Sequence, residues 1–331
     1  MRKVIIYGTG EYYERNRERL PKDLEIVAYG DSNPNNSTSH NGNLFRGLPM
    51  LLPEEFETVI YDVVYICTDY AIGNIIFQRL LKAGIGSHQI FFLNRMEPSV
   101  DWIYTATEDQ KGYLSTINGI TIRERYLTDF DIVNEVLIYH SYGFESGDKE
   151  CVVIDIGMNV AIASLYFAKQ PNIKKVYGFE AFSDTYEQAV ANIALNPPEI
   201  RSKIVAENFA LSDESGKKLV AVSAEETGWR NIFSNDESKR QMEIECLDAG
   251  EVVRDIMDRH QEKIILKIDT EGAEFPIFRA LDRAGCFERI DVIMMEYHGD
   301  SGQIVSVLKK YGYQFFIQGK KEICGLIHAV K

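Results

Sequence analysis

No stretch of this chain holds the roughly 18 consecutive apolar residues that a membrane span requires. The first apolar run, VIIY, ends at Gly8 and is too short for a signal-peptide core. A cytoplasmic protein without a membrane span is therefore expected. Positive charge is scarce: 36 Lys and Arg stand against 50 Asp and Glu, a formal net charge of -14. Such a chain repels phosphate backbones and anionic lipid, which excludes nucleic acid as an expected partner and leaves a small-molecule or glycan substrate. The five cysteines, Cys67, Cys151, Cys246, Cys286 and Cys324, include no C-x-x-C pair. This excludes a disulfide framework and a structural zinc site, and the cysteines read as small buried hydrophobes. No internal repeat is present, and the one biased stretch is SNPNNSTSHNGN at 32–43. It reads as a surface loop in which the sequons at Asn35 and Asn36 are chance matches.

What is present is a twofold alternation of apolar strands and amphipathic helices. At 331 residues, with 45% hydrophobic residues, the chain is long enough for about two cores. VIIYG, EIVAYGDS, VVYICT and QIFFL alternate with helical runs, as in a parallel sheet covered on both faces. This predicts a small doubly wound, Rossmann-like domain over 1–95. A connecting region over 96–145 holds a hairpin at Asn118-Gly119 and a helix near 129–142. From residue 146 to 331 the alternation restarts as a second α/β domain with longer units. Its helix at 183–196 has Ser183 or Asp184 as cap, Glu187 for a capping box, and Asn196-Pro197-Pro198 as stop. Tyr186, Ala189, Val190 and Ile193 fall on its core face.

Ligands of open α/β sheets bind beyond the carboxyl ends of the strands, and four strand-like runs here carry an acid at or near that end: Asp155, Glu180, Asp269 and Glu296. Glu180 follows Asp155 by 25 residues, near the spacing at which an acid reaches the ribose of a ligand held at the first turn. The turn itself, DIGMNVA, has a single glycine. A dinucleotide pyrophosphate asks for G-x-G-x-x-G, so this turn suits S-adenosylmethionine, which has no pyrophosphate. YGTGEYYERN near the N-terminus has a G-x-G but Tyr and Glu where a third small residue belongs, with Asp31 at the ribose position.

VVIDIGMNVAIAS, VYGFEAFSDTYEQAVANIALN, ENFALSDESG, IILKIDTEGAEF and DVIMMEYHG follow one another as in the FkbM-type family of S-adenosylmethionine-dependent methyltransferases, which residues 125–331 resemble. The resemblance implies a class I methyltransferase fold with a mostly parallel sheet and an antiparallel C-terminal strand. It implies that Asp155, Gly157 and Asn159 surround the methionine end of the cofactor, that Glu180 holds the ribose, and that Asn208 and Phe209 border the adenine. The family turn reads D-x-G-x-N-x-G, and Ala161 stands in place of the last glycine. Alanine is at ease there if the position is helical, as the ASLYFA continuation favours, and costs about 1–2 kcal/mol if the position needs positive φ.

Transfer to a hydroxyl needs a proton acceptor, and KIDTEGAE and MMEYHG offer Asp269, Glu271, Glu296 and His298. Asp269, Glu271 and His298 are the expected catalytic residues, while Glu274, a helical turn along, reads as solvated or structural. A divalent ion on Asp269, Glu271 and His298 is compatible with the residue types but not demanded by their spacing. Trp229 and Arg230, within ETGWRNIFSN, could form a stacking platform for a sugar or nucleotide-linked substrate. The expected activity is O-methylation of a sugar, nucleotide-sugar or glycan precursor. The N-terminal domain resembles small Rossmann-like modules of glycan-biosynthesis enzymes and reads as a substrate-recruiting or dimerising module, with a ligand-free scaffold as the alternative. Two rival readings are an NAD-linked nucleotide-sugar enzyme and a non-catalytic nucleotide-binding protein.

Overall fold

The computed structural model describes residues 1–31, 44–68, 70–93, 104–109, 111–138, 140–144, 149–222, 240–320 and 324–331. The asparagine-rich loop and the Trp229-Arg230 stretch lie outside the described residues. The chain divides into two compact units, residues 1–119 and 120–331.

In the first unit β1 (Arg2–Tyr7) leads through α1 (Glu11–Asn16) to β2 (Leu24–Gly30). The short pair β3 (Leu44–Phe45) and β4 (Leu48–Leu51) follows, then β5 (Val63–Ile66), α2 (Tyr70–Lys82) and β6 (Ile90–Phe92). The sheet order is β3-β4-β2-β1-β5-β6, and β2, β1, β5 and β6 run parallel. Successive residues of a strand point to opposite faces. Accordingly Ile5, Tyr7, Val64 and Ile66 enter one core while Val4, Ile6, Val63 and Tyr65 enter another. Both faces are buried, which is why these strands read as unbroken apolar runs. β7 (Tyr104–Asp109) and β8 (Gly112–Ile117) then pair antiparallel. Asn118 and Gly119 have positive φ of 50° and 80°, the conformation that the Asn-Gly dipeptide predicts.

The second unit begins with β9 (Ile120–Glu124) and α3 (Leu127–Val133), which passes into a π-helical turn over Asn134–Ile138. Next come β10 (Cys151–Ile156), α4 (Ile162–Lys169), β11 (Ile173–Phe179), α5 (Ser183–Ala194), α6 (Pro198–Arg201) and β12 (Ile204–Glu207). A side sheet of β13 (Ala210–Ser212), β14 (Gly216–Val222) and β15 (Arg240–Asp248) is followed by α7 (Ala249–Asp258), β16 (Lys263–Ile268), α8 (Glu274–Arg283) and β17 (Ile290–His298). α9 (Gly302–Lys310), β18 (Gln314–Lys320) and β19 (Cys324–Val330) complete it.

The main sheet has the order β12-β11-β10-β16-β17-β19-β18. Its first five strands are parallel, and β19 runs antiparallel to both β17 and β18. This is the α/β architecture expected, with the antiparallel strand near the C-terminus. From the central strand β10 the chain winds first to one side and later to the other, so the crevice of the sheet opens between β10 and β16.

Three local expectations need correction. Ala161 is not helical: with φ 70° and ψ 20° it is the left-handed cap of α4. A non-glycine residue there costs about 1–2 kcal/mol, partly offset because its methyl group is buried against Met158 and Ala189. The core face of α5 is also broader than expected: Tyr186, Ala189 and Ile193 pack inward, but Val190 does not. Val190 is exposed, while Gln188 and Asn192 are buried. The reason is polar: Asn192 and Asn196 accept the β9 amides of Arg123 and Thr121 through their Oδ1 atoms, at 2.8 and 2.9 Å. Finally, four of the cysteines are buried but Cys324 is exposed.

Candidate functional site

A cavity of about 380 Å³ opens at the carboxyl ends of β10, β11, β16 and β17. Its size is that of a small-molecule site. Gly157, Met158, Asn159 and Val160 contribute the turn after β10; Phe179, Glu180 and Phe182 come from the end of β11; Phe209 comes from beyond β12. Lys267, Asp269, Thr270 and Glu271 come from the end of β16, Glu296 and His298 from β17, and Thr128, Asp131, Glu135 and Tyr142 from the α3 segment and beyond.

The turn after β10 is fixed by backbone geometry. Gly157 has φ 82°, and a Cβ on it would sit 1.7 Å from the Asp269 carbonyl oxygen. The turns after β10 and β16 therefore touch, and only glycine permits the approach. The Gly157 and Met158 amides donate to the Phe179 carbonyl, at 3.1 and 2.9 Å. Asn159, at φ 50°, donates its backbone N–H to Glu180 Oε2 at 2.9 Å. Glu180 Oε1 accepts the Phe182 N–H, also at 2.9 Å. This second bond sets the start of α5: Phe182 is its N-cap, with no side-chain cap from Ser183 or Asp184. Both carboxylate oxygens of Glu180 are thus aimed by main chain. Asn159 Oδ1 is buried without a hydrogen-bond partner among the described residues, an acceptor awaiting a donor from the cavity.

Of the remaining residues expected on this side, Phe209 lines the cavity and packs on Phe179 with ring centroids 5.3 Å apart. Asn208 does not line it. Its Nδ2 instead donates to the Glu180 carbonyl at 2.8 Å, tying β12 to β11. Asp155 also lies outside the lining: it is fully buried, accepts the Ser164 hydroxyl at 2.6 Å, and pairs with Lys267 Nζ at 3.1 Å.

The turn after β16 gathers the proton-active groups. Tyr142, buried, donates its hydroxyl to Asp269 Oδ2 at 3.3 Å. Glu271 is held at φ 53°, an unusual conformation for a non-glycine residue and one found disproportionately at functional sites. His298 joins three carboxylates: its Nδ1 is 3.3 Å from Glu274 Oε1, and its Nε2 is 3.3 Å from Glu271 Oε2 and 3.8 Å from Glu296 Oε1. Glu274 is fully buried, not solvated. Its Oε1 also accepts the amides of Thr270 and Gly272 and the Thr270 hydroxyl, at 3.0–3.1 Å, and so closes the turn.

The electrostatics follow from this packing. The hydrogen bond to Glu274, reinforced by Glu271 and Glu296, outweighs burial and raises the His298 pKa to about 9. Burial pushes Glu271 up to about 7 against the attraction of His298. Burial, with the charges of Asp269 and Glu135, likewise pushes Glu296 up to about 7. For Glu274 burial acts upward, but His298 and the turn amides prevail and the carboxyl ends below its ordinary value. The cavity therefore holds carboxyl groups that exchange protons near neutral pH beside an imidazolium. That is the equipment of general acid–base chemistry.

Sequence reasoning missed Glu135, Tyr142 and Lys267. Lys267 left a signal, a charge inside the apolar run IILKI. Glu135 sits on the π-helical turn, a feature often found at functional sites, but its sequence resembles an ordinary helix. Among the described residues no group of three or more His, Cys, Asp or Glu is arranged to hold a metal ion. No described helix is long and apolar enough to cross a membrane.

Residues 155–315 match the sequence model of the Methyltransferase FkbM domain. The C-terminal region carries an FkbM methyltransferase domain. Residues 1–91 match the model described as C2185-like, N-terminal. Methyltransferase sdnD of Sordaria araneosa is 23% identical to the chain over 212 residues, which cover 55% of this chain and 81% of that protein. The crystal structure of Methyltransferase FkbM from Methylobacillus flagellatus KT is similar at 14% identity and a TM-score of 0.40, over 98% of this chain and 89% of that one. Sp1610 of Streptococcus pneumoniae, crystallised with S-adenosyl-L-methionine, is similar at 14% identity and a TM-score of 0.32, over 56% and 67%. The FkbM match begins at Asp155, the residue beneath the cavity floor, and contains Glu180, Asp269, Glu271, Glu296 and His298.

Proposed function

We propose that the protein is an S-adenosylmethionine-dependent O-methyltransferase whose acceptor is a hydroxyl of a sugar, nucleotide-sugar or glycan precursor. The observation that carries this reading is the pairing, in one cavity, of a main-chain-aimed Glu180 carboxylate with the Glu271–His298–Glu296 cluster. When bound, S-adenosylmethionine supplies a methyl group already activated for displacement by its sulfonium. Glu180 binds the ribose hydroxyls, Phe209 borders the adenine, and Gly157 and Asn159 border the methionine end. Asp155 and Asn208 act from behind the wall, the first through Ser164 and Lys267 and the second through the Glu180 carbonyl.

Alignment of acceptor oxygen, methyl carbon and sulfur supplies most of the catalysis in such an in-line displacement. Asp269, held by Tyr142, would orient the acceptor hydroxyl, and Glu271, poised by His298, would take up its proton. The first 95 residues are proposed as the substrate-recruiting or dimerising module, joined by residues 96–145.

Calorimetric titration with S-adenosylhomocysteine tests the cofactor half of this reading, and transfer of labelled methyl to a panel of sugars and nucleotide-sugars tests the acceptor half. Glu180→Ala should weaken S-adenosylhomocysteine binding by about 1–3 kcal/mol, because the ribose hydroxyls lose their acceptor. Unchanged affinity would remove Glu180 from the cofactor site. The rate of methyl transfer should follow a bell in pH, rising as the carboxyl cluster ionises near 7 and falling as His298 loses its proton near 9. These limbs belong to the coupled cluster and not to single residues. A rate independent of pH between 6 and 10 would contradict proton uptake by this cluster.

A further inference from the structure

Lys267 interrupts an apolar strand, with only 3% of its side chain exposed. Burial disfavours the ammonium form, yet Asp155 and Asp269 overcome that effect and the net shift of its pKa is upward, so the charge is kept. Its contacts fall on both turns of the site. Nζ donates to the Gly157 carbonyl at 2.6 Å and lies 3.1 Å from Asp155 Oδ1, both at the end of β10. It also lies 3.9 Å from Asp269 Oδ2, beyond β16, and 5.6 Å from the centre of the Tyr142 ring. Each anion is braced again from behind, Asp155 by Ser164 on α4 and Asp269 by Tyr142. A buried ion pair needed for stability alone can often be replaced by apolar residues. This one has a further consequence, because one buried donor reaches both the Gly157 turn and the Asp269 carboxylate where the main chains of the two turns meet.

We propose that Lys267 is a positioning residue that clamps the Gly157 turn to Asp269, so that the donor methyl and the acceptor hydroxyl are presented in line. The proposal rests on the methyl-transfer reading above. It explains why a charged residue occupies the centre of a sheet where the neighbouring positions, Leu266 and Ile268, are fully buried and apolar.

Lys267→Met alone would leave Asp155 buried and uncompensated, so the informative variant is Lys267→Met combined with Asp155→Asn, in the full-length protein. Folding is checked by circular dichroism and thermal melting. S-Adenosylhomocysteine affinity is measured by calorimetry, and the Glu135 carboxyl is titrated by carbon-13 NMR in glutamate-labelled protein, its resonance assigned with Glu135→Gln. The folded double variant should bind S-adenosylhomocysteine at least tenfold more weakly than the wild type. The Glu135 titration should move to higher pH, because the lysine charge that now favours its ionised form is gone. Lys267→Arg, which keeps the charge, should leave the Glu135 titration near its wild-type position while still weakening binding. A folded double variant that binds within twofold of wild type, or an unmoved Glu135 titration, would overturn the clamp while the methyl-transfer reading stands. Absence of binding by the wild-type protein would overturn both.

Discussion

Gly157→Ala is expected to destabilise the C-terminal unit by about 2–5 kcal/mol and to eliminate measurable S-adenosylhomocysteine binding. Two costs combine. A left-handed alanine is strained by about 1–2 kcal/mol. The added Cβ would also meet main chain, 1.7 Å from the Asp269 oxygen and 2.7 Å from its carbonyl carbon, so no side-chain rotation relieves the overlap. One of the two turns has to move, and overpacking of this kind typically costs about 1–3 kcal/mol. Because the turn after β16 carries Asp269 and Glu271, either movement spoils the cavity. Urea unfolding and calorimetry on the purified variant check both parts. A wild-type midpoint together with wild-type affinity would mean that the two turns are not in contact.

Glu274→Gln should lower the His298 pKa from about 9 toward the ordinary 6.5, since the Glu274 carboxylate is the largest cause of its elevation. The loss of a charged acceptor shared by His298 and the turn amides should also destabilise the unit by about 1.5–3 kcal/mol. The sign of the pH dependence follows from linkage. His298 binds its proton more tightly when folded, so its stabilising contribution is complete below pH 6.5 and lost as the pH rises through 9. In the variant, the difference in stability between pH 6 and pH 9 should shrink by about 2 kcal/mol, a figure reduced from the full shift for the partial exposure of the ring. Imidazole proton resonances and urea melts at the two pH values measure this. Titration that stays near 9 would assign the elevated pKa to Glu271 and Glu296 instead.

Much of the architecture was legible because it is written in local periodicity. Apolar runs such as VVIDI and IILKI, each broken by a single charge, marked strands buried on both faces, and the acids at or just past their ends marked the carboxyl ends where the cavity lies. Where reading failed, a distant partner had intervened. Gln188 and Asn192 look solvated on a helical projection, yet Asn192 satisfies an amide of β9. Ala161 looks helical from the residues that follow it, but the chain must turn left-handed there to enter α4. Glu274 looks like a surface acid at the start of α8, and it is buried because it folds back onto Thr270, Gly272 and His298.

The sequence alone determined the alternation of strands and helices, the single-glycine turn, and the set of acids that end the strands, because each depends on neighbours within a few residues. Only the tertiary structure decided which charges meet. Asp155 and Lys267 are direct partners in the β10–β16 register, and Tyr142 and Asp269 join across 127 residues. A register shifted by one residue would leave every local pattern intact and turn those side chains to opposite faces. Periodicity fixes which residues are buried, whereas pairing between strands fixes what each buried charge finds beside it, and in this cavity the chemistry depends on the second.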